Sequence, residues 1–168
     1  MDDSKNFSYA DLTALESISG TISKMNEVLD GVKEFFERKI GPFAKESSRS
    51  TRLKEDWYVA TRSVGKVFKF EIEVGFIWWW NEEVYVGIRI YLPTSAKYKN
   101  TENYCKFFKK HLKDWEFDDD GDCSFSKSKP VGQFIIDEEE QVPAMIQYLM
   151  ELIDELEALK KVDSDIFK

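Results

Sequence analysis

The sequence predicts an α+β fold: a mostly antiparallel sheet, built on a long central β-hairpin, packed against amphipathic helices from the N-terminal, middle and C-terminal parts of the chain. Three features predict it. Between residues 68 and 92 the even-numbered positions are apolar, from Phe68, Phe70, Ile72, Val74, Phe76, Trp78 and Trp80 to Val84, Val86, Ile88, Ile90 and Leu92. The odd-numbered ones include Lys69, Glu71, Glu73, Gly75, Gly87 and Arg89. A period of two marks strands with one buried face. Three further stretches repeat apolar residues at the spacing of a helix with one buried side. Most strands follow one another through short breaks rather than helical crossovers, which favours antiparallel pairing.

In chain order, residues 1–8 read as a frayed terminus. Leu12, Leu15, Ile18, Ile22, Met25, Leu29, Val32, Phe36 and Ile40 then form a helical stripe. Gly20 and Gly31 weaken it, which leaves one bent helix or two, and Gly41-Pro42 ends it. The polar run 44–56 reads as a mobile surface loop. Aromatic and β-branched residues predict a first strand at 57–62. The hairpin breaks at Asn81-Glu82-Glu83. With Trp80 set opposite Val84, Trp79 faces Tyr85, Ile77 faces Gly87 and Gly75 faces Arg89. A helix capped by Asn100 or Thr101 follows, with Tyr104, Phe107, Phe108, Leu112 and Trp115 on its apolar side. Short strands are expected at 115–117 and 123–126, around the aspartate-rich turn 118–122, and another at 133–136. The last helix begins at Asp137 or at Pro143 and runs to Lys161, burying Val142, Met145, Ile146, Leu149, Ile153, Leu156 and Leu159.

At 168 residues the chain suits one domain, 1–168, whose core needs neither disulfide nor metal. A net charge of −8 works against phosphate backbones and anionic membranes and favours a basic protein partner. Met1-Asp2-Asp3-Ser4-Lys5 lacks the basic start and apolar core of a signal peptide. The longest apolar run, 76–80, is far too short to cross a bilayer. A cytoplasmic protein is therefore expected, with Cys105 and Cys123 as reduced thiols, although the sequence leaves a disulfide between them open.

No motif names a reaction. His111, the sole histidine, stands among Lys109, Lys110 and Lys113 with nothing to mark a nucleophilic triad. No Cys-x-x-Cys or His-x-x-x-His pair anchors a zinc site, and no glycine-rich phosphate loop is present. If Gly121 took the sixth position of a calcium loop, the twelfth would be Lys127, where a bidentate glutamate is required. Neither a metal nor another cofactor is expected.

Three readings of function follow. The first is a non-enzymatic interaction or inhibitor-like domain. It would bind a protein partner of basic character, or a second copy of itself, through Ile77, Trp79, Tyr85, Arg89 and Tyr91 on the sheet face opposite the core, aided by its acidic surface. The second is a metal-dependent nuclease-like hydrolase using Glu71, Glu73 and Asp56, since carboxylates on adjacent strands can hold Mg²⁺. Against it, Lys69 precedes these acids, whereas restriction-endonuclease-like nucleases place a lysine after theirs, and no Pro-Asp is present. The structural alternative is an exposed strand face whose acids pair with Lys69 and Arg89. The third reading is a single-stranded nucleic-acid binder using Lys106, Lys109 and Lys110 beside the sheet aromatics.

Overall fold

The computed structural model describes residues 9–42, 59–63, 70–78, 84–92, 101–118, 123–134 and 140–164. The frayed terminus expected at 1–8 and the loop expected at 44–56 lie outside them. The described elements are α1 (Tyr9–Lys39), β1 (Val59–Ser63), β2 (Glu71–Trp78), β3 (Val84–Leu92), α2 (Thr101–His111), β4 (Glu116–Asp118), β5 (Cys123–Pro130), a short 3-10 turn at Val131–Phe134, and α3 (Gln141–Val162). The strands form one antiparallel sheet in the order β1-β2-β3-β5-β4. The protein is α+β.

One sheet face carries Ile72, Val74, Phe76, Val86, Ile88, Ile90, Leu92, Cys123 and Phe125, all buried. They join one core with Met25, Val28, Leu29, Val32 and Phe36 of α1, Tyr104 and Phe108 of α2, and Met145, Tyr148, Leu149, Leu152, Ile153, Leu156 and Leu159 of α3. The buried side chains of all three helices thus meet the same face of the sheet.

α1 is one continuous helix in spite of its glycines. Gly31 has a packing reason: a Cβ there would run into the Ile146 side chain of α3. Further along both helices Lys39 meets Asp154 and Glu157, so α1 and α3 run side by side in the same direction. Lys160 Nζ closes the end of α1 by donating to the carbonyls of Lys39 (3.2 Å) and Ile40 (2.9 Å), which have no partner within the helix ladder.

Hydrogen bonds from Lys39 and then Lys161 hold the Glu157 carboxyl below its ordinary value, while those to Asp154 and Glu157 hold Lys39 above its own. A depressed carboxyl favours the folded state above its unfolded pKa and loses that contribution as pH falls through its folded value. The Tm gap between wild type and Glu157→Gln should therefore be widest near neutrality. It should close as the pH falls through and below the ordinary carboxylate range, which thermal melts across that range would show.

Several expectations are corrected. α2 stops at His111, so Trp115 is not on the helix. It is buried beyond it, its indole Nε1 donating to Glu155 Oε2 of α3 at 2.9 Å. Lys127 of β5 reaches the other Glu155 oxygen at 2.8 Å. The strand expected at 133–136 is replaced over its first part by the 3-10 turn. β5 instead continues past 126 to Pro130, whose missing N–H ends the ladder where the 3-10 turn begins. The last helix begins at Gln141, with Pro143 inside its first turn.

Cys105 and Cys123 are not separate thiols but form a disulfide joining α2 to the first residue of β5, with Cα atoms 6.4 Å apart. Eighteen residues of sequence separate them, and the antiparallel β4–β5 return brings the second cysteine back beneath the helix.

Candidate functional site

The sheet face away from the helices is set out by strand register. Glu71, Tyr91, Ser124 and Asp118 occupy one row across the strands. Arg62, Glu73, Arg89, Ser126 and Glu116 occupy the next. Ala60, Gly75, Gly87 and Ser128 form a third, and Ile77, Tyr85 and Pro130 a fourth. A charged row and a row of apolar residues and one tyrosine therefore flank a row of residues with little or no side-chain bulk.

The hairpin register differs from the expected one by two residues. Trp78, not Trp80, is opposite Val84. Ile77 consequently faces Tyr85, Gly75 faces Gly87, and Glu73 faces Arg89. The shift is even, so every residue keeps its face and only its partners change. Gly75 has φ 132°, which an L side chain rarely adopts. At Gly87 a Cβ would collide with the Lys127 carbonyl and with Ser128, so glycine permits the close approach of β5.

Tyr85, Arg89 and Tyr91 are half-buried and share this face. Arg89 sits over the Tyr91 ring, its guanidinium carbon 5.3 Å from the ring centroid. Tyr85 and Tyr91 are about 20 Å apart along the strand. They stand on β3 to either side of the small-residue row and Arg89 and do not form one continuous aromatic platform. Ile77 shares Tyr85's row, and Trp79 lies outside the described residues.

Glu73 corrects the expectation of an exposed acidic face. It is only 4% exposed, with Oε2 3.9 Å from Arg89 Nη1. Ser124 and Ser126 of β5, opposite Tyr91 and Arg89 on this face, are also buried. The Ser124-Phe125-Ser126-Lys127-Ser128 alternation is a period-two signal that sets these serines on one face of a strand; the strand expected at 123–126 covers its first part, and neither its continuation nor the burial of the serines was foreseen.

The nuclease reading gains no assembled site. Glu73 faces a guanidinium where a metal ligand set needs further carboxylates, and Asp56 lies outside the described residues. Among the described residues no three His, Cys, Asp or Glu side chains cluster to hold a metal ion. On α2, Lys106 pairs with Glu102 at 2.6 Å and Lys109 lies over the Phe117 ring at 4.3 Å, while Lys110 is exposed. The Lys106 hydrogen bond lowers the Glu102 carboxyl below its ordinary value. His111 packs on Phe107 with ring centroids 4.6 Å apart. Among the described residues no helix is long and apolar enough to cross a membrane.

No protein-family model, curated protein or solved structure matches the chain.

Proposed function

We propose that this is a non-enzymatic interaction domain that docks a protein partner of basic character on the sheet face opposite its helices. The observation that supports it best is the far-face layout. Tyr85 and the Arg89–Tyr91 pair stay half-buried at the two ends of a face whose middle, with Glu73, Gly75, Gly87 and Ser126, is already buried, so these three side chains are its accessible contacts. Tyrosine and arginine are the side chains that most often anchor protein interfaces, because each combines large contact area with a polar tip. The net charge of −8 favours a cationic partner and speeds its encounter. Trp79 and Ile77 belong to the same proposal as flanking contacts, and so does a cytoplasmic setting.

A photo-crosslinking side chain in place of Tyr91, compared with one in place of exposed Lys24 on α1, tests the reading. In native cell extract the Tyr91 probe should give discrete protein adducts absent from the Lys24 control. Raising salt from about 0.1 M to 1 M, which shrinks the screening length from about 10 Å to 3 Å, should weaken them. An adduct of twice the chain's own mass would identify self-association. Equal labelling from both positions would overturn the proposal.

A further inference from the structure

We infer that the Cys105–Cys123 disulfide is a redox latch that holds α2 on the sheet, and that its reduction frees this helix while the rest of the fold stays in place. The inference is independent of the docking face.

α2 has only 11 residues, a length at which a helix is marginal unless something holds it. It is held by Tyr104 and Phe108, by neighbouring aromatic contacts, and by the disulfide. Phe108 meets Phe70 edge-on at 5.1 Å and Phe125 at 5.8 Å. Its principal packing partners are β5 and β3. α1 and α3, by contrast, grip each other through Gly31 and Ile146, through Lys39 with Asp154 and Glu157, and through the Lys160 contacts to the end of α1. No cysteine takes part in that clamp. Loss of the disulfide therefore removes a restraint from one element and leaves the other two helices as they are.

The two sulfurs are unequally placed. Cys105 is half-buried and Cys123 buried. An incoming thiolate reaches the Cys105 sulfur first. It bonds to that sulfur as the Cys105–Cys123 bond breaks, and the Cys123 thiolate leaves and takes up a proton. The second thiol of a dithiol reductant then resolves the mixed disulfide. Cys105 becomes a thiol and the reductant becomes a disulfide, for two electrons and two protons in total. Re-formation by a small-molecule disulfide oxidant reverses each step. With the latch open, Phe70 and Phe125 lose the cover that α2 gives them.

The test uses the full chain. Alkylation of the unfolded oxidised protein should add no label, and alkylation after dithiothreitol should add two. Reduction should speed amide hydrogen exchange in 101–111 by about tenfold or more while 84–92 and 141–162 keep their protection. Oxidised glutathione should restore the slow exchange. A Cys105→Ser/Cys123→Ser variant should show the fast pattern whatever the reductant. Two labels without reductant, exchange in 101–111 that ignores reduction, or loss of protection throughout the chain would each overturn the inference. The last result would make the bond a general staple.

Discussion

Replacing Phe108 by alanine should destabilise the disulfide-bonded protein by about 3–5 kcal/mol, the range for emptying a large aromatic site in a packed core. Phe108 is fully buried and touches Phe70, Phe107 and Phe125 at centroid distances of 5.1, 5.5 and 5.8 Å. Alanine leaves those three rings facing a void that rigid strands on one side cannot collapse to fill. Denaturant melts under oxidising conditions measure the loss. The same substitution made in the reduced protein should cost markedly less if α2 has already left the sheet, because the ring then no longer fills the core. An equal cost in both states would mean that α2 stays packed without its disulfide.

Arg89→Ala should be the next most damaging change, at about 3 kcal/mol, because it leaves the Glu73 carboxylate on a buried strand position without the guanidinium beside it. The diagnostic is the double variant. Adding Glu73→Gln removes the buried charge and should recover more than half of the loss, whereas unrelated substitutions simply add. Chemical denaturation of the wild type, both single variants and the double variant closes the cycle. Additive losses would show that the 3.9 Å pair carries no coupling and that Arg89 matters for its other contacts, its packing against Tyr91 among them.

This pair also shows where reading the chain stopped. The parity of Ile72, Val74, Phe76, Val86, Ile88, Ile90 and Leu92 assigned them to the core face, and all are buried. The same parity set Glu73 and Arg89 on the other face, but it does not determine which residues stand opposite each other. A register shift of two residues preserves every face, so period-two alternation contains no signal that could distinguish the two pairings. Nor did a glutamate on a nominally solvent-facing strand position announce its burial, which depends on the neighbouring strands and on what lies beside them.

The helices divide in the same way. The stripes of α1 and α3 were legible because Met25, Leu29, Val32 and Phe36, and Met145, Leu149, Ile153 and Leu156, recur at the turn of a helix, while Val28 and Leu152 joined the core unforeseen. Their parallel contact was not, because nothing local links Gly31 to Ile146 or Lys39 to Asp154. Trp115 was misassigned to α2 because its spacing continues that helix's stripe. Its actual position follows from a hydrogen bond to Glu155, forty residues away.

What the sequence determined by itself was the α+β class and the inward face of β2 and β3 from Ile72 to Phe76 and from Val86 to Leu92, since backbone periodicity and the hydrophobic effect act residue by residue. Tertiary structure alone decided the Glu73–Arg89 register, the facing glycines Gly75 and Gly87, and the Cys105–Cys123 bond. These are contacts between segments remote in the chain. They exist only after strands have paired and helices have docked, because short-range geometry leaves several such arrangements open and only the packed whole selects one.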